Sequence, residues 1–337
     1  MKKLINLTMF DLFKGVAMLL VLFGHSFVYN NGALGELVWG RIVLSVLMPA
    51  FFLVSGYWLK KKSVKAGIKS GFEFLIKPFL LFALAIIVIG FLHRALSGEL
   101  QEWVRVFLIP TVLVSTKSGS RIGPMWFVFA LFLAWCIFYV VVNLKKEKLQ
   151  LVIAVLSAIL GGAIMPLKLP YQLAQGLVAF FFVYCGYLWK KKKVLEMKIH
   201  PLFYLLMIAM WVISIIYGSM DLHDYDMKYG LFSAAGSLCG AFILIKVFLY
   251  LNLLEWSILD GVRWLGRYSM WIITIHAIEN AIFPWKILFG FVEEGSWIGI
   301  LVHFALRLLF IVVACLFLQK IQMYRIKIKN KKGEKEC

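Results

Sequence analysis

The sequence contains few charged residues and little that would interrupt a helix. Of its 337 residues, 16% are charged and eight are proline, whereas 62% are hydrophobic, and the mean hydropathy is +0.88. This composition excludes a soluble domain with a large core and indicates an integral membrane protein. We therefore expect an all-α fold, a polytopic bundle of transmembrane helices.

Cysteine is also scarce. The five cysteines lie in or beside apolar segments, and their spacing fits neither a disulfide framework nor a metal site: Cys136, Cys185, Cys239, Cys315 and Cys337. A cysteine in such a segment packs as a small apolar residue. The sequence accordingly predicts no bound metal.

Acidic residues are outnumbered by basic ones. The chain has 17 Asp and Glu against 36 Lys and Arg, and its formal net charge is +19. A basic balance can indicate nucleic-acid binding, but here the cations lie in short segments that flank apolar runs, which is the pattern of a membrane protein. We therefore expect membrane lipids, and no nucleic acid, among the partners.

Apolar segments long enough to cross a bilayer recur along the chain. We predict about ten spans, of which the fifth and seventh are short: 9–29, 39–59, 75–93, 126–144, 150–165, 173–190, 202–217, 229–251, 268–285 and 296–318. An amphipathic segment at 252–267 is expected at the cytoplasmic membrane surface.

Basic residues predict the topology. Lysines crowd the N-terminus and alternate loops, whereas loop 30–38 has no Lys or Arg and loops 218–228 and 286–295 are acidic. Because cytoplasmic loops are enriched in Lys and Arg, both termini are predicted to be cytoplasmic, which an even number of spans requires. The predicted organisation is one transmembrane domain over 1–320 and a basic cytoplasmic tail over 321–337, in the plasma (inner) membrane.

The first span contains ionisable residues that a lipid-facing helix would lack. Asp11 and Lys14 lie near its start and His25 near its end. Over the eleven positions from Lys14 to His25 a helix rotates by a net angle of about 20° and rises about 16 Å, so the three residues share one face. Lipid would leave such groups unsatisfied, so they should face protein or water. This helix is predicted to form the wall of a functional site.

The loop after the second span and the start of the fourth span carry further candidate binding residues. Lys65 and Lys69 share a helix face in the loop after the second span, and Lys77 comes soon after. These lysines bind phosphates, or they only mark the cytoplasmic side and contact anionic lipid headgroups. Trp126 begins the fourth span, either as part of an aromatic belt or as a platform on which a sugar stacks.

The last two spans carry the remaining ionisable residues. His276 and Glu279 lie in one span, and His303 and Arg307 lie on one face of the next. Ionisable groups within spans are functional candidates by default. A purely structural role, in which these charges satisfy one another, remains open at this point.

Five motifs, in this order along the chain, resemble the acyltransferase 3 family of membrane-bound O-acyltransferases. They are Asp11, Lys14-Gly15 and Gly24-His25-Ser26 in the first helix, MPAFFLVSGYWLKKK at 48–62, the basic stretch Lys65/Lys69/Lys77-Pro78, GPMWFVFALF at 123–132, and WLGRYSMWIITIHAIEN at 264–280. The resemblance covers nearly the whole chain. It implies about ten membrane helices and transfer of an acyl group, usually acetyl from acetyl-CoA, to a hydroxyl of a cell-surface carbohydrate or its lipid-linked precursor.

The resemblance also implies roles for particular residues. The essential first-helix histidine of the family maps onto His25, and its basic residue eleven positions earlier, usually Arg, maps onto Lys14. Lysine keeps the charge but not the bidentate hydrogen bonding of arginine. The predicted site is catalytic at Asp11, Lys14 and His25, binds acetyl-CoA through Lys65, Lys69 and Lys77, and binds the acceptor through Trp126, His276, Glu279 and Arg307.

Acyl transfer suits a histidine. A sugar hydroxyl attacks a thioester poorly until a base removes its proton, and imidazole, with an ordinary pKa of about 6.5, can do so at neutral pH. His25 would act as this base, or would itself be acylated and pass the group on. Two other classes stay open, a transporter or flippase of lipid-linked sugars and a non-catalytic membrane sensor. CoA-dependent labelling of the purified protein would separate them.

Overall fold

The computed structural model describes residues 5–31, 37–96, 98–115, 122–218, 220–283, 285 and 296–333. Side-chain burial within these ranges is described except at 29–31 and 322–333. Several sequence features that predicted the topology therefore lie outside the described residues, namely Lys2 and Lys3, most of loop 30–38, loop 286–295 and the last four residues of the basic tail.

Long α-helices form most of the described chain. In order they are α1 (Leu7–Asn31), α2 (Val38–Trp58), α3 (Val64–Gly71), α4 (Lys77–Leu96), α5 (Trp126–Val141), α6 (Glu147–Ile164), α7 (Leu173–Lys191), α8 (Pro201–Tyr217), α9 (Leu231–Leu251), α10 (Ser257–Arg267), α11 (Ser269–Ile282) and α12 (Trp297–Gly333).

Short segments join these helices. They are the π-helices Phe72–Ile76 and Val104–Leu108, the single turns Leu100–Trp103 and Ile109–Val112, the 3-10 turns Gly123–Met125, Met165–Leu167, Pro170–Gln172 and Val194–Glu196, and a two-stranded antiparallel hairpin of β1 (Met220–Asp221) and β2 (Asp226–Met227). In the hairpin, Met220 pairs with Met227 and Asp221 with Asp226.

The fold is that of a multi-pass membrane protein. Within the described residues, eight helical segments are long and apolar enough to cross a membrane, and they correspond to the predicted first to sixth, eighth and tenth spans. The predicted seventh and ninth spans correspond to shorter helices, α8 with 17 residues and α11 with 14. The count of ten spans and the cytoplasmic location of the termini stay predictions, as does the domain boundary at 320, which α12 crosses.

The predicted basic loop is helical. Helix α3, the π-helix and α4 form one stretch, Val64–Leu96. Proline has no N–H to donate, so the turn before Pro78 loses a regular hydrogen bond and widens into the π-helix. The second π-helix, Val104–Leu108, likewise ends just before Pro110. Lys65, Lys69 and Lys77 therefore project from one continuous helical stretch.

Helices α2 and α7 make a close contact at two glycines. A Cβ on Gly56 would collide with the carbonyl of Val183, and one on Gly186 would collide with the carbonyl of Leu53. Near the C-terminal ends of both helices, Lys190 Nζ lies over the rings of Tyr57 and Trp58, so the two helices run parallel and Gly56 faces Gly186. Small residues allow membrane helices to approach this closely.

Candidate active site

Helix α1 and the α10–α11 pair are held in a fixed register by a second pair of glycines. A Cβ on Gly15 would collide with the carbonyl of Val262, and one on Gly266 would collide with the carbonyl of Asp11. The carbonyl that an added Cβ would meet lies in each case four positions before the glycine on the facing helix, and such a close approach needs small residues. Gly15 faces Gly266, and the backbones are in contact at this level.

The same register brings two histidines together. His25 follows Gly15 by ten positions, and His276 follows Gly266 by ten positions. Their rings are in contact, with centroids 4.9 Å apart and planes inclined by 59°. His276 is 0% exposed, whereas His25 is partly exposed. The structure thus joins two residues that the sequence analysis had assigned to separate groups.

Glu279 connects His276 to the last helix. His276 Nδ1 lies 2.6 Å from Glu279 Oε1, one turn further along α11. Arg307 Nε of α12 lies 2.9 Å from Oε1 of this carboxylate and donates to Oε2 at 3.3 Å, and Trp285 Nε1 also donates to Oε2. The side chains of His276, Glu279 and Arg307 are each at most 1% exposed. A buried carboxylate and guanidinium are tolerated only when they are paired and hydrogen-bonded in this way.

Further contacts orient the arginine. Arg307 donates from an Nη atom to Asn280 Oδ1 at 2.5 Å, and its guanidinium lies 5.7 Å from the centre of the Trp285 ring. The His303 ring also packs against Trp285, with the two ring centroids 5.1 Å apart. The last helix therefore presents Arg307 and His303 to one aromatic side chain next to the histidine pair.

Asp11 and Lys14 lie on the same helix as His25 but do not join its cluster. They form an ion pair of 2.8 Å across one helical turn, and both side chains are largely buried. Lys14 lies about 16 Å below His25 along the helix axis. The charge of Lys14 is thus partly neutralised by its neighbour on the same helix.

Trp126 lies under the β1–β2 hairpin. Its side chain is only 4% exposed, and its ring meets that of His223 edge to face, with centroids 6.1 Å apart. A sugar would have to displace His223 before it could stack on Trp126. The preceding Gly123–Met125 turn contacts α11, so the Trp-Phe motif is placed beside the histidine pair.

The hairpin carries a compact group of charges. Asp221 accepts hydrogen bonds from the backbone N–H groups of His223 and Asp224, and the His223 ring hydrogen-bonds the Asp224 carboxylate at 2.5 Å. Burial raises the pKa of Asp221, and the nearby Asp224 charge adds to this. Burial lowers the pKa of His223, but the hydrogen bond to Asp224 and the charges of both aspartates outweigh it and raise the pKa overall. The same hydrogen bond lowers the pKa of Asp224.

The three predicted CoA-binding lysines line a separate surface. Lys65, Lys69 and Lys77 surround an open groove of about 580 Å³, together with Ile68, Phe72 and Glu73. All three lysines are exposed. A groove with three cations and an apolar floor can accept a phosphate group and its attached organic moiety.

Several residues of the site were not predicted. The acidic loop was used only to predict the topology, and no role was predicted from the sequence for His223, Asn280 or Trp285. Lys246 was also missed, although a single lysine in an apolar span is a signal in itself. The structure gives it a structural role, since Lys246 Nζ is buried and donates to the carbonyl of Leu195 at 2.7 Å.

No metal centre is evident in this part of the molecule. Among the described residues, no three His, Cys, Asp or Glu side chains are grouped so that they could hold a metal ion.

One comparison with known proteins gives a match. A family model described as an acyltransferase domain matches residues 8–319, which include all five motifs and both histidines. No curated protein and no solved structure matches the chain.

Proposed function

The chain belongs to the acyltransferase 3 family, and from this premise we propose that it transfers an acetyl group from acetyl-CoA to a hydroxyl of a cell-surface carbohydrate or of its lipid-linked precursor. It is a multi-pass membrane protein and an acyltransferase by family. The donor, the acceptor, the plasma (inner) membrane as its location and the role of the first-helix histidine belong to the proposal.

The observation that carries the proposal is the contact of His25 with His276. The glycine register holds the two imidazoles together, and the carboxylate of Glu279 lies behind His276. Imidazole is the side chain suited to take a proton from a sugar hydroxyl at neutral pH, or to carry an acyl group. The two imidazoles, next to the Glu279 carboxylate and the Arg307 guanidinium, provide groups that could move a proton or carry an acyl group.

We propose that acetyl-CoA, the donor, binds with its phosphates in the lysine groove. Its phosphates would lie against Lys65, Lys69 and Lys77, each acting as a point charge. The slender pantetheine arm would then pass along the interior face of α1, by the Asp11–Lys14 pair, toward His25. The acceptor would approach from the side of the hairpin and Trp126. Membrane lipids surround the bundle, and the acceptor is itself a glycan or a lipid-linked glycan.

The test is acetyl transfer by the purified protein in detergent, with acetyl-CoA labelled in the acetyl group and a lipid-linked glycan fraction as the acceptor. Detergent removes the two compartments that a transporter or flippase needs, so transfer would identify an enzyme. We expect His25→Ala to lower the rate by at least about 10²–10⁴-fold, since loss of an imidazole that takes part in the proton or acyl transfer costs this much. Binding of acetyl-CoA should persist.

The matched control is His93→Ala, which removes an exposed histidine outside the cluster. It should keep wild-type transfer. Wild-type turnover in His25→Ala would contradict the assignment of His25, and absence of transfer from wild-type protein would contradict the proposed function.

A further inference from the structure

The two histidines of the cluster differ in how they are held. Among the described residues, no side chain hydrogen-bonds the ring of His25, which is partly exposed. His276 is 0% exposed, and its Nδ1 lies 2.6 Å from Glu279 Oε1. Within the described residues, no hydrogen bond from a side chain fixes the tautomer of His25, whereas the contact with Glu279 fixes the orientation of His276.

The partners of Glu279 decide which nitrogen of His276 carries the proton. The carboxylate accepts from Arg307 Nε and from Trp285 Nε1. Because both neighbours are donors and one of them is a guanidinium, we take Glu279 as an ionised carboxylate, which only accepts hydrogen bonds. Nδ1 of His276 must therefore be the donor. The neutral ring then carries its lone pair on Nε2, which is the tautomer of a general base.

This Nε2 atom of His276 is buried and accepts no hydrogen bond from the described residues. Buried polar atoms without a partner are uncommon, because burial removes water without replacing it. A purely structural charge pair would not account for the open nitrogen. A substrate hydroxyl next to His25 would fill it.

We propose, on the basis of the proposed function, that His276 is the catalytic base for the acceptor hydroxyl, and that Glu279 and Arg307 are its positioning residues. The hydroxyl oxygen bonds to the acyl carbon, the C–S bond of the thioester breaks, and the electron pair leaves with sulfur. The hydroxyl proton goes to His276 Nε2 and then to the departing thiolate, which leaves as CoA. His25 contacts the acyl group from the other side of the histidine pair.

The decisive variant is His276→Asn. The side-chain amide nitrogen of asparagine occupies the position of Nδ1, so it can still donate to Glu279, while the base nitrogen is gone. We expect kcat to fall about 10²–10⁴-fold with little change in acetyl-CoA binding or in the KM for acceptor. The assay uses acetyl-labelled acetyl-CoA and the lipid-linked glycan fraction. In His276→Ala, added imidazole should restore part of the rate, which no structural role would predict.

Thr274→Val is the matched control. It lies on the same helix, removes a hydroxyl that donates to the carbonyl of Met270, and leaves Glu279 untouched. It should transfer acetyl at the wild-type rate. Near-wild-type kcat in His276→Asn, with transfer still lost in His25→Ala, would overturn this inference and leave the proposed function in place. Failure of wild-type protein to transfer would remove both.

Discussion

At the scale of single residues, Glu279 is the centre of the site. It accepts from three different parts of the chain, His276 on its own helix, Trp285 after it, and Arg307 on α12. Removing one partner of a buried pair typically destabilises a protein by about 3–5 kcal/mol, because the other charge stays buried and unpaired. Substitutions at Glu279 or Arg307 therefore test folding as much as catalysis, whereas His25 and His276 can be tested more cleanly.

The lysine groove gives a prediction at the same scale. Replacing Lys65, Lys69 and Lys77 together by Gln should weaken acetyl-CoA binding, because three point charges facing the phosphates are lost. The loss should be larger at low salt, where screening is least. Equilibrium binding of acetyl-CoA at two ionic strengths measures both effects.

A matched triple variant gives the control for this prediction. Lys145, Lys146 and Lys148 are exposed in the next predicted cytoplasmic loop, and their replacement by Gln removes the same charge from elsewhere. It should leave the affinity nearly unchanged. Equal affinities in the two triple variants would reduce the groove lysines to a topology signal.

How far the residues of the site could be predicted depended on one rule. Ionisable groups within membrane spans face protein, and this rule alone identified His25, His276, Glu279 and Arg307. The spacing of three also predicted that His276 and Glu279 share a face. Trp285 and His223 could not be found in this way, since polar and aromatic residues near the ends of spans are ordinary, and their partners lie far away in the sequence.

At the scale of elements, the least expected helix is α10. Residues 252–267 were predicted to be amphipathic and to lie on the cytoplasmic surface of the membrane. The helix Ser257–Arg267 is there, but it packs along the first half of α1 through Gly266. The amphipathic pattern predicts that one face is buried and does not say against what. A lipid surface and a neighbouring helix satisfy it equally.

Because this contact sets the register of the two histidines, it can be tested by adding one methyl group. Gly266→Ala would push the Asp11 carbonyl away, and overpacking of this kind costs about 1–3 kcal/mol. We expect a lower unfolding temperature in detergent and a lower rate of acetyl transfer, since α11 would shift relative to α1.

Gly261→Ala serves as the comparison within the same helix. A Cβ there meets nothing within 4 Å. This variant should be as stable as wild type or slightly more, because alanine is favoured over glycine in a helix by about 1 kcal/mol. Equal stability and activity in the two variants would mean that the glycine contact does not hold the register.

At the scale of the whole molecule, the helix directions bear on the topology. Helices α1 and α11 run parallel, since Gly266 lies at Asp11 and His276 lies at His25. Helices α2 and α7 also run parallel, since Lys190 lies over Trp58 near the C-terminal ends of both. In the predicted order, α1 and α11 are the first and ninth spans, and α2 and α7 are the second and sixth. Both members of each pair are odd-numbered or both even-numbered, so they must cross the membrane in the same direction. These helix directions come from packing, whereas the predicted topology came from lysine counts, so the number of spans and the side of the termini stay predictions.

Cysteine labelling in intact cells tests the topology directly. In a variant lacking the native cysteines, Asp224→Cys should react with a reagent that does not cross the membrane, because the acidic hairpin is predicted to lie outside and the Asp224 side chain is 70% exposed. Lys148→Cys should react only after the cells are permeabilised. The reverse pattern would invert the predicted orientation.

The fully buried Arg307 also bears on how the chain enters its membrane. An arginine at the centre of a helix raises the cost of insertion by about 2.5–3.5 kcal/mol. Its carboxylate partner on α11 precedes it by 28 residues, so Glu279 leaves the ribosome first. Glu279 is therefore already synthesised when α12 is made. We expect α12 to insert by pairing with α11, and its own hydrophobicity alone to be insufficient. The ion pair between Glu279 and Arg307 would thus both hold the site together and assist the membrane insertion of the last helix.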